Sequence, residues 1–303
     1  ELGPGAGENG GEKVFQGDID TLLKNNSLTG QYLAHKKTIP VPQNKREMNG
    51  KSITVKGAAE HNLKHIDVSI PLNCMVTITG VSGSGKTTLL KNILFPALKK
   101  AKRKSFNSLG NYDTLQGTEQ IDDTILVDQS PIGKTPRSNP VTYIKAFDGI
   151  RKLFAATREA RIRGYTPGTF SFNVAQGRCD KCEGKGEIDI DMVFLSDVTL
   201  ICDKCNGKKY KNRVLEIKYK GKTIDDVLNL SVSQAIDFFQ DTSSVTRKLQ
   251  VLNDVGLGYP HLGQAAPTLS GGEAQRVKLA LHLSQKPRKK LLYLFDEPTT
   301  GLH

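Results

Sequence analysis

The residues of this chain whose types and spacing could do chemistry are two glycine-bearing motifs and two pairs of cysteines. Residues 80–87 read Gly-Val-Ser-Gly-Ser-Gly-Lys-Thr, and residues 269–273 read Leu-Ser-Gly-Gly-Glu. The cysteines lie between these motifs, in the spacing Cys179-x2-Cys182-x19-Cys202-x2-Cys205. Either kind of feature is common by itself, but two cysteine pairs nested between two such glycine-bearing motifs are rare. This nesting narrows the range of candidate functions.

Residues 80–87 fit the pattern G-x-x-x-x-G-K-[ST] of phosphate-binding loops. Glycines let backbone N–H groups surround phosphate oxygens at the positive end of a helix dipole. Lys86 would then reach the terminal phosphates, and the Thr87 hydroxyl would ligate Mg²⁺. The residues expected to contact a nucleotide here are Gly80, Ser82, Gly83, Ser84, Gly85, Lys86, Thr87 and Thr88.

The elements that flank this loop must position it. Residues 75–79 are apolar and β-branched, which predicts a buried strand. Residues 88–94 predict a helix that ends at Pro96, because proline interrupts helical hydrogen bonding. This strand–loop–helix order disfavours the alternative, a glycine-rich turn that fits the pattern by chance.

A second apolar run, residues 291–295, predicts a buried strand that ends in Asp296-Glu297. Open α/β sheets place ligands at the carboxyl ends of their strands. Asp296 suits Mg²⁺, directly or through water, and Glu297 suits polarising an attacking water. Charges often end strands, but here a segment with helical spacing precedes the strand, with Val277 and Leu281 on one face.

The four cysteines suit a tetrahedral Zn²⁺, because each C-x-x-C turn presents two thiolates to the metal. Gly184, Gly186 and Gly207 follow the pairs and would permit tight turns. Disulfides are the alternative, disfavoured by a cytosolic type of nucleotide chemistry and by the absence of a signal peptide. All four ligands come from the chain, so a structural metal is expected. Cys74 stands alone next to the first predicted strand, and we expect a small apolar residue there.

Taken in this order, the motifs resemble the ATP-binding-cassette ATPases. The resemblance implies an α/β P-loop ATPase core with an inserted signature subdomain that carries the zinc module. It implies that Ser270, Gly271 and Gly272 contact the γ-phosphate held by a different cassette, across a head-to-tail sandwich. It also implies that Gln129, within residues 126–130, senses the Mg²⁺ and the attacking water.

The chain departs from transporter cassettes in two respects. No aromatic residue lies between Ile53 and Pro71, where such cassettes stack the adenine, and His61 and His65 are expected to be surface residues. ATP is therefore implied by the resemblance alone. A transporter ATPase would also carry a helical docking region between the glutamine loop and the signature, in place of four cysteines.

Longer stretches resemble the UvrA family, the damage-recognition ATPases of bacterial nucleotide excision repair. The matching stretches are residues 3–11, 26–32, 127–140, 164–173, 274–280 and 296–303. The resemblance implies binding of damaged or distorted double-stranded DNA, loading of a UvrB-type helicase-like partner, and a homodimer of the intact protein. Paralogues linked to antibiotic self-resistance share these stretches and remain an alternative.

The resemblance also implies that the chain is part of a longer polypeptide with two cassettes. Residues 1–38 match the tail of a first cassette, and residues 39–50 form a linker. The expected second cassette has the core at 51–135 with a basic loop at 99–123, the signature subdomain at 136–285 around the zinc module at 176–212, and the Walker B strand at 286–303. Its hydrolysis site would need a signature from another cassette, so the chain by itself is expected to bind with little turnover.

Charge and hydropathy agree with this interpretation. Lysine and arginine number 43 against 31 aspartate and glutamate, a formal net charge of +12, which favours a polyanionic partner. Arg158, Arg161 and Arg163, ahead of the cysteines, are candidates for DNA contact. The basic residues 99–104 could equally be a solvated helix end or a phosphate contact. No run of about eighteen apolar residues is present, which excludes a membrane-spanning helix and fits a cytoplasmic protein.

Three further segments carry periodic patterns. Residues 142–160 predict a helix with Ile144, Phe147, Ile150 and Phe154 on a core-facing stripe. Residues 215–219 alternate as a strand does. Residues 224–239 predict a helix that breaks near residues 231–234.

Overall fold

The computed structural model describes residues 1–44, 47–104, 109–190, 192, 198–284 and 289–299. These residues form two compact units, and each is described by itself. Unit 1 comprises Glu1–Val127 and Pro287–Asp296, and unit 2 comprises Asp128–Lys286 and Glu297–His303. None of the helices in the described ranges has the length and apolar character needed to cross a membrane.

The secondary structure alternates between short strands and short helices. The strands are β1 (Leu2–Gly3), β2 (Glu12–Lys13), β3 (Ser52–Ala58), β4 (Ile66–Pro71), β5 (Thr114–Gln116), β6 (Asp123–Val127), β7 (Glu187–Ile190), β8 (Val198–Ile201) and β9 (Leu291–Phe295). The helices are α1 (Ile19–Lys24), α2 (Leu28–Leu33), α3 (Phe95–Ala101), α4 (Pro140–Tyr143), α5 (Phe147–Ala155), α6 (Arg158–Ile162), α7 (Asn212–Leu215), α8 (Ile224–Leu228), α9 (Val232–Phe238), α10 (Ser243–Asp254) and α11 (Gly271–Leu283).

Unit 1 contains an antiparallel sheet in the order β4-β3-β5 and a parallel pair formed by β6 and β9. Alternation along β3 buries Ile53 and Val55 on one face. They pack in one cluster with Ile93, Leu94 and Leu98 from the helical segment that follows the phosphate loop. The core of unit 1 therefore lies between the antiparallel sheet and this segment.

The predicted strand at residues 75–79 is wrong. The segment has no regular secondary structure, and Met75 is 94 % exposed. A strand needs hydrogen-bonding neighbours, and no described strand pairs with this one. Residues 75–79 are apolar enough for a buried strand, but the sequence pattern cannot show whether another strand lies beside them to pair with. Cys74, next to this segment, is exposed as well.

The predicted end of the helix at Pro96 is also wrong. A π-helix spans Thr88–Leu94 and continues directly into α3, with Pro96 in the first turn of α3. Proline has no N–H to offer the carbonyl of Asn92, four residues earlier. That carbonyl accepts the Gly110 N–H instead, at 2.8 Å. The wider π turn and this substitute donor let the helix pass through the proline.

Lysines among the basic residues 99–104, at the end of α3, form ion pairs and hydrogen bonds with other residues of unit 1. Lys99 lies 2.8 Å from Asp123, and Lys104 also pairs with that carboxylate. Burial by itself would raise the pKa of Asp123, but the two lysines outweigh it and hold that pKa well below its usual range. Lys102 donates to the Thr118 carbonyl at 2.7 Å. These contacts favour the structural reading over phosphate contact.

Unit 2 is mainly helical and is built around one large core. The predicted stripe of Ile144, Phe147, Ile150 and Phe154 is buried in it. The stripe is not one helix, because α4 ends at Tyr143 and α5 begins at Phe147. Lys145 has a φ of 59° at the junction, a left-handed conformation that a continuous helix cannot contain.

Two other patterns of unit 2 have different outcomes. The predicted break near residue 231 is confirmed, since Ser231 caps α9 and accepts the Gln234 N–H. The predicted strand at residues 215–219 is wrong. α7 ends at Leu215, and Tyr219 instead pairs with Lys222 across a tight turn. The alternation records only which side chains face the core, which a turn satisfies as well as a strand.

Candidate functional site

The glycine-rich loop after residue 79 contains glycines in the left-handed region of backbone conformation. Gly83 and Gly85 have φ of 76° and 99°, in the region that favours glycine. Asn62 donates its side-chain N–H to the Gly83 carbonyl at 2.8 Å and so fixes the loop from outside. Asn62 was not among the predicted site residues, because no motif places it beside the loop.

The loop and the β9 carboxylate meet in unit 1. Parallel pairing of β6 with β9 aligns Val127 with Phe295, and Asp296 follows at the carboxyl end, as predicted. Thr87 Oγ1 donates to Asp296 Oδ1 at 3.3 Å across 209 residues of sequence. A hydroxyl and a carboxylate at this distance are oxygen ligands that could hold Mg²⁺.

Two lysines modify this picture. Lys86 Nζ donates to the carbonyls of Gly80 at 2.9 Å and Val81 at 2.7 Å. Lys91 Nζ lies 2.8 Å from Asp296 Oδ2, a contact that no motif predicted. A divalent cation at Asp296 would therefore compete with the Lys91 ammonium for the carboxylate.

The strand β9 is less buried than its apolar sequence predicted. Leu294 is buried, but Phe295 is 40 % exposed. Glu297 follows, exposed and with a left-handed φ of 48°. Its carboxylate is therefore accessible, as a group that polarises water must be.

The signature residues begin helix α11 in unit 2. Ser270 accepts the Glu273 N–H at 3.3 Å, and Glu273 Oε2 accepts the Ser270 N–H at 2.8 Å, which completes a capping box. A methyl group on Gly271 would lie 3.0 Å from Gln129 Oε1, so the predicted glutamine packs against the start of this helix. Ala274, Val277 and Ala280 form the buried face, whereas Leu281 is half-buried.

A buried ion pair holds the glutamine-bearing segment to the same helix. Lys278 Nζ lies 2.5 Å from Asp128 Oδ1 and 2.6 Å from Ser130 Oγ, on either side of Gln129. Its ammonium also donates to the Asp128 carbonyl at 3.0 Å. The two charged side chains are only 12 % and 15 % exposed, so solvent screens them little. The sequence patterns did not identify Lys278.

The four cysteines form one buried cluster in unit 2. All four Sγ atoms lie within 4.8 Å of one another, with 3.9 Å from Cys179 to Cys202 and 3.6 Å from Cys182 to Cys205. Disulfide sulfurs would lie about 2 Å apart. Tetrahedral Zn²⁺ with Zn–S bonds of about 2.3 Å places its sulfurs roughly 3.8 Å apart. The cluster therefore fits a four-thiolate metal site and does not fit disulfides.

The turns around the cluster supply further support for thiolates. Gly184, Gly186 and Gly207 all have φ between 79° and 87°, as the expected tight turns require. Gly186 donates its N–H to Cys182 Sγ at 3.3 Å.

Burial raises the pKa of the Cys182 and Cys205 thiols, so a cation at the centre would offset the cost of ionising them.

Cys202 differs from these two thiols. Burial by itself would raise its pKa, but the backbone N–H groups of Cys205 and Lys204 oppose this and lower the pKa to about 7. The turn after Cys202 thus favours a thiolate before any metal is considered.

The three arginines ahead of the cysteines lie in unequal environments. Arg163 pairs with Glu159 at 2.6 Å and also with Glu216. Arg158 and Arg161 are exposed and form no ion pair with any residue that the structure describes. These two, rather than Arg163, offer positive charge at the surface.

The structure contains a phosphate loop, an aspartate at the end of a strand, a capped signature helix and a cluster of four thiols. Together they define an ATP-binding-cassette ATPase fold with an inserted four-cysteine cluster of the kind that binds a metal. No protein-family model matches the chain. It is 54 % identical over 304 residues to UvrABC system protein A of Thermus thermophilus, covering 100 % of this chain and 32 % of that protein. For the Aquifex aeolicus protein of the same name the identity is 55 %, with 100 % and 33 % covered.

A solved structure agrees with the sequence comparison. The crystal structure of UvrA2 from Deinococcus radiodurans superposes with a TM-score of 0.90 at 47 % identity, covering 100 % of this chain and 36 % of that chain. The chain is thus similar over its whole length to proteins of the UvrA family. It spans about a third of the length of the curated relatives it matches.

Breaking the buried ion pair should destabilise unit 2. We expect Lys278→Met to lower the free energy of unfolding by about 3 kcal/mol, because it leaves the Asp128 carboxylate buried without its cation. Urea denaturation followed by circular dichroism measures this, and adding Asp128→Asn should recover part of the loss.

The matched control is Lys220→Met, since Lys220 pairs with Asp241 at side-chain exposures of 37 % and 73 %. An exposed pair of this kind contributes less than about 1 kcal/mol. Equal losses for the two lysine variants would contradict the role given to Lys278.

Proposed function

We propose that the chain is part of a UvrA-type, ATP-dependent DNA-damage recognition subunit of the excision nuclease in nucleotide excision repair. The observation that carries this is the four-thiol cluster inside the unit that bears the signature helix, on a chain more than half identical to UvrABC system protein A. A transporter ATPase would carry a helical docking region between the glutamine loop and the signature, in place of such a cluster. The name shared by these relatives also favours repair over the resistance paralogues.

The nucleotide site that we propose uses residues of both motifs. Gly80, Ser82, Gly83, Ser84, Gly85, Lys86, Thr87 and Thr88 would bind the phosphates of ATP. Thr87 and Asp296 would hold Mg²⁺, as their 3.3 Å contact supports. Gln129 and Glu297 would orient and polarise the attacking water. Ser270, Gly271 and Gly272 would complete the site of another cassette, and such positioning from both sides is worth orders of magnitude in rate.

DNA and protein partners follow from the same proposal. Distorted duplex is recognised through its backbone and deformability, which suits a chain with a net charge of +12. The exposed Arg158 and Arg161 are candidates for backbone contact. The intact protein would load a UvrB-type helicase-like partner, act as a homodimer, and work in the cytoplasm, where ATP is available and thiols stay reduced.

The DNA prediction concerns salt. We expect the chain to bind duplex DNA with little dependence on sequence, and to bind a distorted duplex more tightly than an intact one. Titrations at about 50 and 200 mM salt should show a steep loss of affinity, because counterions are released from the phosphates. Affinity that is independent of salt, or absent at the lower concentration, would argue against a DNA surface.

Matched variants locate that surface. Replacing Arg158 and Arg161 by Gln should reduce the slope of log K against log salt by about 1.8, since each phosphate contact contributes about 0.9. Replacing the exposed Lys36 and Lys37 by Gln removes the same charge elsewhere on the chain and should change the slope little.

The hydrolysis prediction concerns shared sites. The chain alone should hydrolyse ATP slowly, with turnover per chain rising with protein concentration, and Glu297→Gln should abolish it. A mixture of Lys86→Met and Ser270→Arg chains should be more active than either variant alone, because one composite site then holds both native residues. Turnover that is independent of concentration, with no gain on mixing, would mean that each chain completes its own site.

The metal prediction concerns stoichiometry. We propose that Cys179, Cys182, Cys202 and Cys205 hold one structural Zn²⁺, so elemental analysis of protein purified without added zinc should find one zinc per chain. Cys202→Ser should lose the metal and speed hydrogen exchange in β7 and β8, because metal binding and local folding are coupled. Cys74→Ser is the control, since Cys74 lies outside the cluster. A Cys179–Cys202 disulfide, or no zinc, would contradict the proposal.

A further inference from the structure

Asp296, the carboxylate at the end of β9, has its two oxygens engaged by two different side chains. Its Oδ1 accepts from the Thr87 hydroxyl at 3.3 Å, and its Oδ2 lies 2.8 Å from the Lys91 ammonium. Lys91 belongs to the π-helix Thr88–Leu94 and follows Thr87 by four residues, a spacing that puts two side chains on the same face of a helix. One face of this segment of unit 1 therefore holds the carboxylate at both oxygens.

The backbone and the surroundings of Asp296 add to this restraint. Its N–H donates to the Val127 carbonyl at 3.2 Å, which extends the pairing of β6 with β9 by one residue. The Asp296 side chain is 18 % exposed, and the Lys91 side chain is 29 % exposed. Because water screens this pair less than a fully exposed one, the attraction between the two charges is stronger. Lys91 therefore stabilises the charge of Asp296 and fixes the direction of its carboxylate.

The Lys91 ammonium and a divalent cation compete for this carboxylate. Thr87 Oγ1 and Asp296 Oδ1 are the oxygen ligands that fit Mg²⁺, and Lys91 Nζ lies on the other oxygen of the same group. Two positive charges so close together repel each other, so the ammonium weakens the binding of a cation. Two protein oxygens are also few for Mg²⁺, which is usually held by one or two carboxylates together with water and nucleotide phosphates. Without nucleotide, the balance therefore favours Lys91.

A bound nucleotide would reverse this balance. Its phosphates add negative charge and oxygen ligands at the loop that ends in Thr87, and both favour a divalent cation. The motif lysine, Lys86, also donates to protein oxygens, the carbonyls of Gly80 and Val81. Phosphate oxygens would offer both lysines an alternative acceptor. The state of the cation site is in this way linked to the state of the phosphate loop.

We propose that Lys91 is a positioning residue that holds the Asp296 carboxylate until nucleotide binds, and that it thereby makes divalent-cation binding at Thr87 and Asp296 depend on nucleotide. The inference rests on the proposed function, since it requires a nucleotide at the phosphate loop. Lys91 lies outside the loop motif of residues 80–87, and the sequence patterns gave it no role.

The first arm of the experiment uses Mn²⁺ as the probe, because bound Mn²⁺ loses the sharp electron paramagnetic resonance signal of the free ion. In titrations of the 303-residue chain without nucleotide, Lys91→Met should bind Mn²⁺ roughly tenfold more tightly than the unaltered chain, because a nearby positive charge is gone. Lys91→Gln should show the same gain, whereas Lys91→Arg keeps the charge and should not. Circular dichroism checks that each variant is folded.

Two further variants assign the effect to this ion pair. Lys64→Met removes the same charge from an exposed residue of unit 1 and should change Mn²⁺ affinity less than about twofold. Adding Asp296→Asn to Lys91→Met removes the carboxylate and should abolish the gain. A gain that survives in this double variant would place the Mn²⁺ elsewhere and overturn the inference.

The second arm measures how much Mg²⁺ tightens the binding of a fluorescent ATP analogue. The tightening should be smaller in Lys91→Met, because coupling between two ligands is reciprocal and this variant binds the cation without nucleotide as well. If the unaltered chain binds the analogue, and either the Mn²⁺ affinity or the tightening is unchanged in Lys91→Met, the inference is overturned while the proposed function stands. Absence of nucleotide binding by the unaltered chain would overturn both.

Discussion

The parallel pairing of β6 with β9 is the constraint on which the arrangement of this chain depends. Val127 aligns with Phe295, and the larger part of unit 2, Asp128–Lys286, occupies the stretch of chain between these two strands. Joining strands so distant in sequence carries a loop-closure cost, which grows only slowly with loop length. The pairing sets the ends of the insertion and places Asp296 beside Thr87 in unit 1, which neither motif could do alone.

Unit 2 can fold as an insertion between β6 and β9 because it contains its own apolar core and its own buried polar contacts. Its helices begin at side-chain caps such as Ser231 and Ser270, which satisfy N–H groups that the helix itself leaves unpaired. The Lys278–Asp128 pair then ties the segment that carries Gln129 to the signature helix within the same unit. The segment that carries Gln129 and the signature lie far apart in the sequence, and helix α11 in this way holds them together.

The negative charge of buried or half-buried groups is compensated in different ways at two places in the chain. Buried thiols resist ionisation, and a four-thiol cluster becomes favourable when a cation compensates them. Two lysines face Asp123 and keep its carboxylate ionised. Because these lysines pair with Asp123, they are not available to a ligand.

The sequence by itself determined the motifs and the burial of Ile144, Phe147, Ile150 and Phe154, because the spacing of glycines, cysteines and apolar side chains acts locally. It also indicated the likeness to UvrA proteins, because long stretches beyond the motifs resemble that family. Only the tertiary structure decided that residues 75–79 lie exposed, that the helix passes Pro96, and that residues 215–219 turn. Each of these depends on a partner distant in sequence: a neighbouring strand, the Gly110 donor, or a core that accepts alternate side chains. The contacts of Asn62, Lys91 and Lys278 depend on such partners as well, and periodicity along one segment carries no information about them.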